Sequence, residues 1–200
     1  MHGLDAIEGD GGDTVFRDVI LLALAGFVAI VIILLPHLNP PVQALETQPP
    51  PGNVVVEIRW PDAIDADVDL WVAAPGDVPV GYSNLGGTVF NLLRDDLGHR
   101  DDLSRINYEV AYSRGRPAGE YTVNLHLYAD SSGQLPLAVT VVASLKKDAQ
   151  SRAVPVARKE VALRHVGEEA TAFRFRLSDD GELVPGSLHD LPRPLRSAQP

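Results

Sequence analysis

The chain contains no cysteine, so neither a disulfide framework nor a thiolate metal centre is available and the fold must hold by packing alone. Positive charge is also scarce: 17 Lys and Arg stand against 27 Asp and Glu, a formal net charge of −10. Such a balance excludes nucleic acid and anionic headgroups as partners of the soluble part and favours cations or basic surfaces. Signatures of catalysis are absent as well. The six histidines are scattered at 2, 37, 99, 126, 165 and 189. There is no Gly-x-Ser-x-Gly elbow, no His-Glu-x-x-His helix and no glycine loop with nucleotide-binding spacing. The expectation is a protein that binds rather than an enzyme.

What is present begins with the stretch Val15 to Leu35, VFRDVILLALAGFVAIVIILL, whose run after Asp18 carries no charge. Its length matches one bilayer-crossing helix. Leu, Ala, Ile and Val without an internal proline let its backbone satisfy itself in hydrocarbon, and Pro36, Pro40 and Pro41 are expected to end it. Asp18 stands at its N-terminal end, where a carboxylate is costly and often functional; the plainer reading is an interfacial residue beside Arg17. Ala23, Ala25, Gly26 and Ala29 form a small-residue stripe that allows another helix to approach closely. Arg17 and the amino terminus lie on one flank and no cation precedes Arg59 on the other, which favours an N-terminus inside and an exported C-terminal domain. A cleavable signal peptide ending near Val42-Gln43-Ala44 is the rival reading, disfavoured by the acidic leader.

In chain order, residues 1–14 read as a flexible cytoplasmic tail with Asp13 or Thr14 capping the helix, and residues 36–52 as a proline-rich extended spacer. From Asn53 the apolar period changes to two. Val54, Val56, Ile58 and Trp60 share one face against Glu57 and Arg59; Val68, Leu70 and Val72 alternate with Asp67, Asp69 and Trp71; Tyr121, Val123, Leu125 and Leu127 alternate with Thr122, Asn124, His126 and Tyr128. Further strands are predicted at 87–92, 105–113, 136–145, 153–164 and 170–177. Many short alternating strands with Gly/Pro/Asp turns predict an antiparallel β-sandwich over 53–178, all-β and led by the single membrane helix. The remainder, 179–200, lacks any period and is expected to be a disordered tail.

Asp65, Asp67 and Asp69 recur at every second residue, so a strand projects them from one face at intervals of about 7 Å. Asp95, Asp96, Asp101 and Asp102 follow in a candidate loop that could complete a shell of hard oxygen donors, chemistry that suits Ca²⁺. The bland alternative is that both clusters solvate a loop and an edge strand. Trp71 and Tyr128, on outward strand positions, are candidate anchors of a binding face, against the alternative of packing beneath a loop or the tail. His126, beside Asn124, reads as a surface residue.

Two resemblances follow from these segments. DADVDLWV, VGYSNLGG, DDLGHRDD and INYEVAYSRGRPAGEYTVNLHLY resemble Asp-rich bacterial β-sandwich modules of the tellurium-resistance and prepeptidase-C-terminal-like types. The resemblance implies calcium binding by Asp67, Asp69, Asp95 and Asp96. FRDVILLALAGFVAIVIILL is similar to the single helix of B-type subunits of proton-driven motors, the flagellar stator and the TonB- and Tol-type energisers. That resemblance implies that Asp18 carries protons, that the helix dimerises within a polytopic A-type channel subunit, and that the exported domain grips a target. The expected protein is thus a bacterial inner-membrane, single-pass protein with a periplasmic binding domain. The alternative is a membrane-anchored calcium-binding adhesion or envelope-interaction module without proton transfer.

Overall fold

A computed structural model describes residues 11–38, 52–96, 106–148 and 151–196, and the chain divides into two compact units, 1–48 and 49–200. The described residues of the first unit form one helix, α1 (Gly11–Leu38). Within it, Val15–Ile33 is long and apolar enough to cross a membrane, and none of it is buried; at 1.5 Å per residue it spans about 28 Å, close to a hydrocarbon core. The helix begins earlier than the apolar run, so Asp13 and Thr14 belong to its first turn rather than capping it. It also includes Pro36, which lies in the last turn, where a missing N–H costs a single rung. The spacer beyond Leu38 and the first ten residues lie outside the described residues.

The second unit contains β1 (Val54–Arg59), β2 (Ala66–Ala73), β3 (Phe90–Arg94), β4 (Tyr108–Ser113), β5 (Gly119–Asp130), β6 (Leu137–Leu145), β7 (Val154–Leu163) and β8 (Glu169–Leu177). They form a five-stranded sheet, β3-β4-β1-β6-β7, and a three-stranded sheet, β2-β5-β8. Every pairing is antiparallel. The period of two explains the core. Val54, Val56 and Ile58 of β1, Val68, Leu70 and Val72 of β2, and Tyr121, Val123, Leu125 and Leu127 of β5 all enter one buried cluster with Val139, Val141, Phe173 and Phe175. Each such side chain contributes roughly 1.5–3 kcal/mol by leaving water. Tyr121 stacks on Phe175 at 5.2 Å between ring centroids, and its hydroxyl donates to the Pro117 carbonyl.

The segment after Ser178, expected to be disordered, is instead held on the sandwich as far as Arg196. Leu183 bridges to Leu177 and His189 to Arg174, the Arg193 amide donates to Thr171 Oγ1, and Leu195 is 2% exposed. It shows no apolar period because it is fastened by isolated bridges and side-chain bonds, with a single buried leucine. Residues 197–200 lie outside the described residues.

Candidate functional site

Strand β2 lies at one edge of the three-stranded sheet, so one row of its backbone groups has no strand beside it. Val80 covers part of that edge by exchanging backbone hydrogen bonds with Val72. Further along, Glu109 of β4 reaches over from the other sheet, and its Oε2 accepts the Leu70 amide at 2.7 Å. Its other oxygen accepts the Asp96 amide at 3.0 Å, which fixes the chain just after β3. The turn between β1 and β2 is set by Asn107, whose side-chain amide donates to the carbonyls of Pro61 and Ile64. One glutamate thereby joins the middle of β2 and the chain just after β3 to β4.

The result is a gathering of carboxylates. Carboxyl oxygens of Asp69, Asp95 and Glu109 lie within 4.8 Å of one another. A Ca²⁺ ion at about 2.4 Å from each of several oxygens bridges such spacings. Asp69 and Glu109 are buried, and Asp95 is exposed. Asp67, two residues before Asp69, is 9% exposed, and its Oδ1 is buried without a hydrogen-bond partner. Asp96 has a different position: its Oδ2 accepts the Tyr108 amide and the Arg94 guanidinium, each at 3.2 Å. Of the four predicted metal residues, the structure brings Asp69 and Asp95 into the cluster, holds Asp67 beside it and uses Asp96 as a clamp on β4. Asp101 and Asp102 lie outside the described residues.

The electrostatics are those of a site short of positive charge. Burial, reinforced by Asp69, Asp95 and Asp96, pushes the Asp67 carboxyl up to about 7. Burial also raises Asp69, although the hydrogen bond from His126 pulls the other way. Glu109 is raised well above the usual carboxylate range by burial, and the two backbone amides compensate only in part. Mutually repelling carboxylates with an orphaned buried oxygen fit a hard divalent cation.

Behind Asp69 a chain of polar contacts runs into the C-terminal segment. Asp69 pairs directly with His126 across β2 and β5, and His126 Nδ1 lies 2.6 Å from Asp69 Oδ2. The other ring nitrogen, Nε2, lies 2.6 Å from Arg196 Nη1. A guanidinium only donates, so Nε2 accepts, and the ring is the neutral tautomer whose Nδ1–H donates to Asp69. His126 is therefore not a surface residue; it is 2% exposed beneath the C-terminal segment. The same segment buries Trp71, so of the two readings its position allowed, binding anchor or packing beneath the tail, the structure has the second: Trp71 is 1% exposed and clusters with Ala73 and Leu195. Gly81 packs against it so closely that a Cβ there would stand 2.4 Å from the indole. Tyr128 does remain open, 52% exposed, where the β2–β5 register slips between Asp67 and Val68. Tyr82 links the two aromatics edge-on, 5.7 Å from each.

The remaining predicted residues lie on α1. Asp18, Ala23 and Gly26 are exposed, and a Cβ on Gly26 would meet nothing within 4 Å. Sequence reasoning missed Glu109 and Arg196. The one available signal for Glu109 was a lone acid within an otherwise uncharged strand, YEVAYS. Comparison with protein-family models, curated proteins and solved structures finds no match to this chain.

Proposed function

We propose that the chain is a membrane-anchored, divalent-cation-binding module: α1 fixes it in a bacterial inner membrane, N-terminus inside, and the β-sandwich stands in the periplasm as a binding domain. The observation that carries this reading is the close set of Asp69, Asp95 and Glu109 oxygens beside the unpartnered Asp67 Oδ1. The all-oxygen donor set favours Ca²⁺ over softer metals. Bound calcium would neutralise the edge of β2 and fix the Asp95 turn, giving the domain a firm surface for an envelope partner. Calorimetric titration of the full chain in mild detergent tests it. One calcium per chain is expected, with uptake lost in Asp69→Ala; a chain that takes up no calcium at millimolar concentration removes the reading.

A second reading rests on α1, where Asp18 and the stripe with Ala23 and Gly26 are exposed and free to meet neighbouring helices. In it, Asp18 carries protons in a motor-type complex with a polytopic A-type subunit. Asp18→Asn should then assemble normally yet abolish energy-dependent activity, while Asp18→Glu retains part. An Asn variant that complements a deletion strain fully ends this reading and leaves the anchored module intact.

A further inference from the structure

The cation site and the C-terminal segment share one carboxylate. Asp69 contributes an oxygen to the cluster with Asp95 and Glu109, while its Oδ2 accepts from His126, whose far nitrogen accepts from Arg196. Arg196 is thus the positive charge that partly balances this end of the cluster. The segment carrying it is fastened mainly by polar contacts: Asn124 Nδ2 donates to the Arg193 carbonyl at 2.8 Å, and the Arg193 guanidinium reaches Glu120 and Thr122. Glu169 Oε1 accepts the Leu195 amide at 2.7 Å, Thr171 accepts the Arg193 amide, and Leu195 supplies the apolar contact on Trp71.

We infer that residues 193–196 form a latch governed by the cation site: calcium and Arg196 compete for the charge of Asp69, so calcium loosens the latch and loss of the latch tightens calcium binding. Two effects act in the same direction. A divalent ion on Asp69 repels the guanidinium beyond the imidazole. It also draws electron density from Asp69, so His126 receives less support from its hydrogen bond and Nε2 becomes a poorer acceptor for Arg196. Coupling of this kind is reciprocal, since each ligand must alter the other's affinity by the same factor. Release of the latch uncovers Trp71, His126 and Asn124 on the outer face of β2-β5-β8, so a cation signal becomes a change of exposed surface.

This rests on the proposed cation-binding reading, and the test separates the two. The full chain in mild detergent is titrated with calcium as wild type, Arg196→Gln, Arg196→Lys and Arg193→Gln, and hydrogen exchange of residues 193–196 is followed with and without calcium. Arg196→Gln should bind calcium roughly fivefold more tightly, in the usual range of such couplings. Arg196→Lys, which keeps the charge, should lie near wild type. Arg193→Gln, which loses the latch's contacts to Glu120 and Thr122 but leaves Arg196 on His126, should tighten calcium binding by less than Arg196→Gln does. Exchange at 193–196 should quicken several-fold in calcium. Equal affinities in wild type and Arg196→Gln, or exchange that calcium leaves unchanged or slows, overturn the latch alone. No calcium uptake by any form overturns the latch together with the reading beneath it.

Discussion

Asp77 and Asp67 stand ten residues apart and show opposite ways for a β-sandwich to hold a carboxylate. Asp77 Oδ1 accepts the amides of Val78 and Thr88, and its Oδ2 accepts that of Val89. Slight burial raises its pKa, but those backbone amides outweigh it and hold the carboxyl below its ordinary value. Gly87 lets the chain come close enough, because a Cβ there would stand 2.6 Å from Asp77 Oδ2. Asp67 has an orphaned buried oxygen and a carboxyl pushed up to about 7 by burial and by Asp69, Asp95 and Asp96. A carboxylate with backbone donors is a structural tie and needs nothing further. One buried against its own kind is stabilised only by protonation or by a cation.

The largest expected difference is in the response to calcium. At a concentration one hundred times the dissociation constant, a ligand that binds only the folded state adds about 2.7 kcal/mol. Urea unfolding should show that gain in the wild type and in Asp77→Asn, and less than half of it in Asp67→Asn. Next comes the loss of the tie itself: Asp77→Ala leaves three amides to partial solvation and should cost about 1–2 kcal/mol, read as a lower urea midpoint at unchanged slope.

The pH dependence separates the two carboxylates by sign. Asp67 binds its proton more tightly folded than unfolded, so without divalent cation its contribution to stability is lost as pH rises from about 4 through about 7. Asp69 and Glu109, also raised, act in the same sense. Asp77, depressed in the folded state, contributes stability above the ordinary aspartate range that is lost as pH falls below it. Thermal melts in chelator should therefore weaken from pH 5 to pH 7.5, and saturating calcium should flatten that slope. The smallest effect is the sharpest in sign. In chelator at pH 8, Asp67→Asn removes an unbalanced charge and should stabilise the domain by about 1 kcal/mol, whereas Asp77→Asn should destabilise it.

The sandwich was legible because β1, β2 and β5 alternate cleanly; Val68, Leu70 and Val72 enter the core as their spacing predicts. The acidic strand face was legible for the same reason, since a period of two puts Asp67 and Asp69 on the side away from those valines. Glu109 was not. Tyr108, Val110 and Tyr112 around it are the bulkier apolar series and read as the inward one, but the register sets Glu109 opposite Ile58 and Ala111 opposite Val56, so the glutamate stands on the core side. Its burial follows from the unpaired edge of β2, which belongs to the other sheet and only tertiary structure reveals. His126 was misjudged, and Trp71 left between two readings, for a related reason: their strand face does point away from the core, but the segment ending at Arg196 covers it. A segment held by Glu169, Thr171 and single backbone bridges leaves no periodic mark by which sequence can detect it.

The central claim is that a divalent cation belongs among Asp69, Asp95 and Glu109. Crystals of the β-sandwich grown with calcium, measured at a wavelength where calcium scatters anomalously, locate the ion without reference to stability or activity. The expected result is one anomalous peak about 2.3–2.6 Å from oxygens of Asp69, Asp95 and Glu109, with Asp67 Oδ1 turned toward the ion or one of its waters. Calcium-grown crystals with those three carboxylates ordered and no peak between them would contradict the claim.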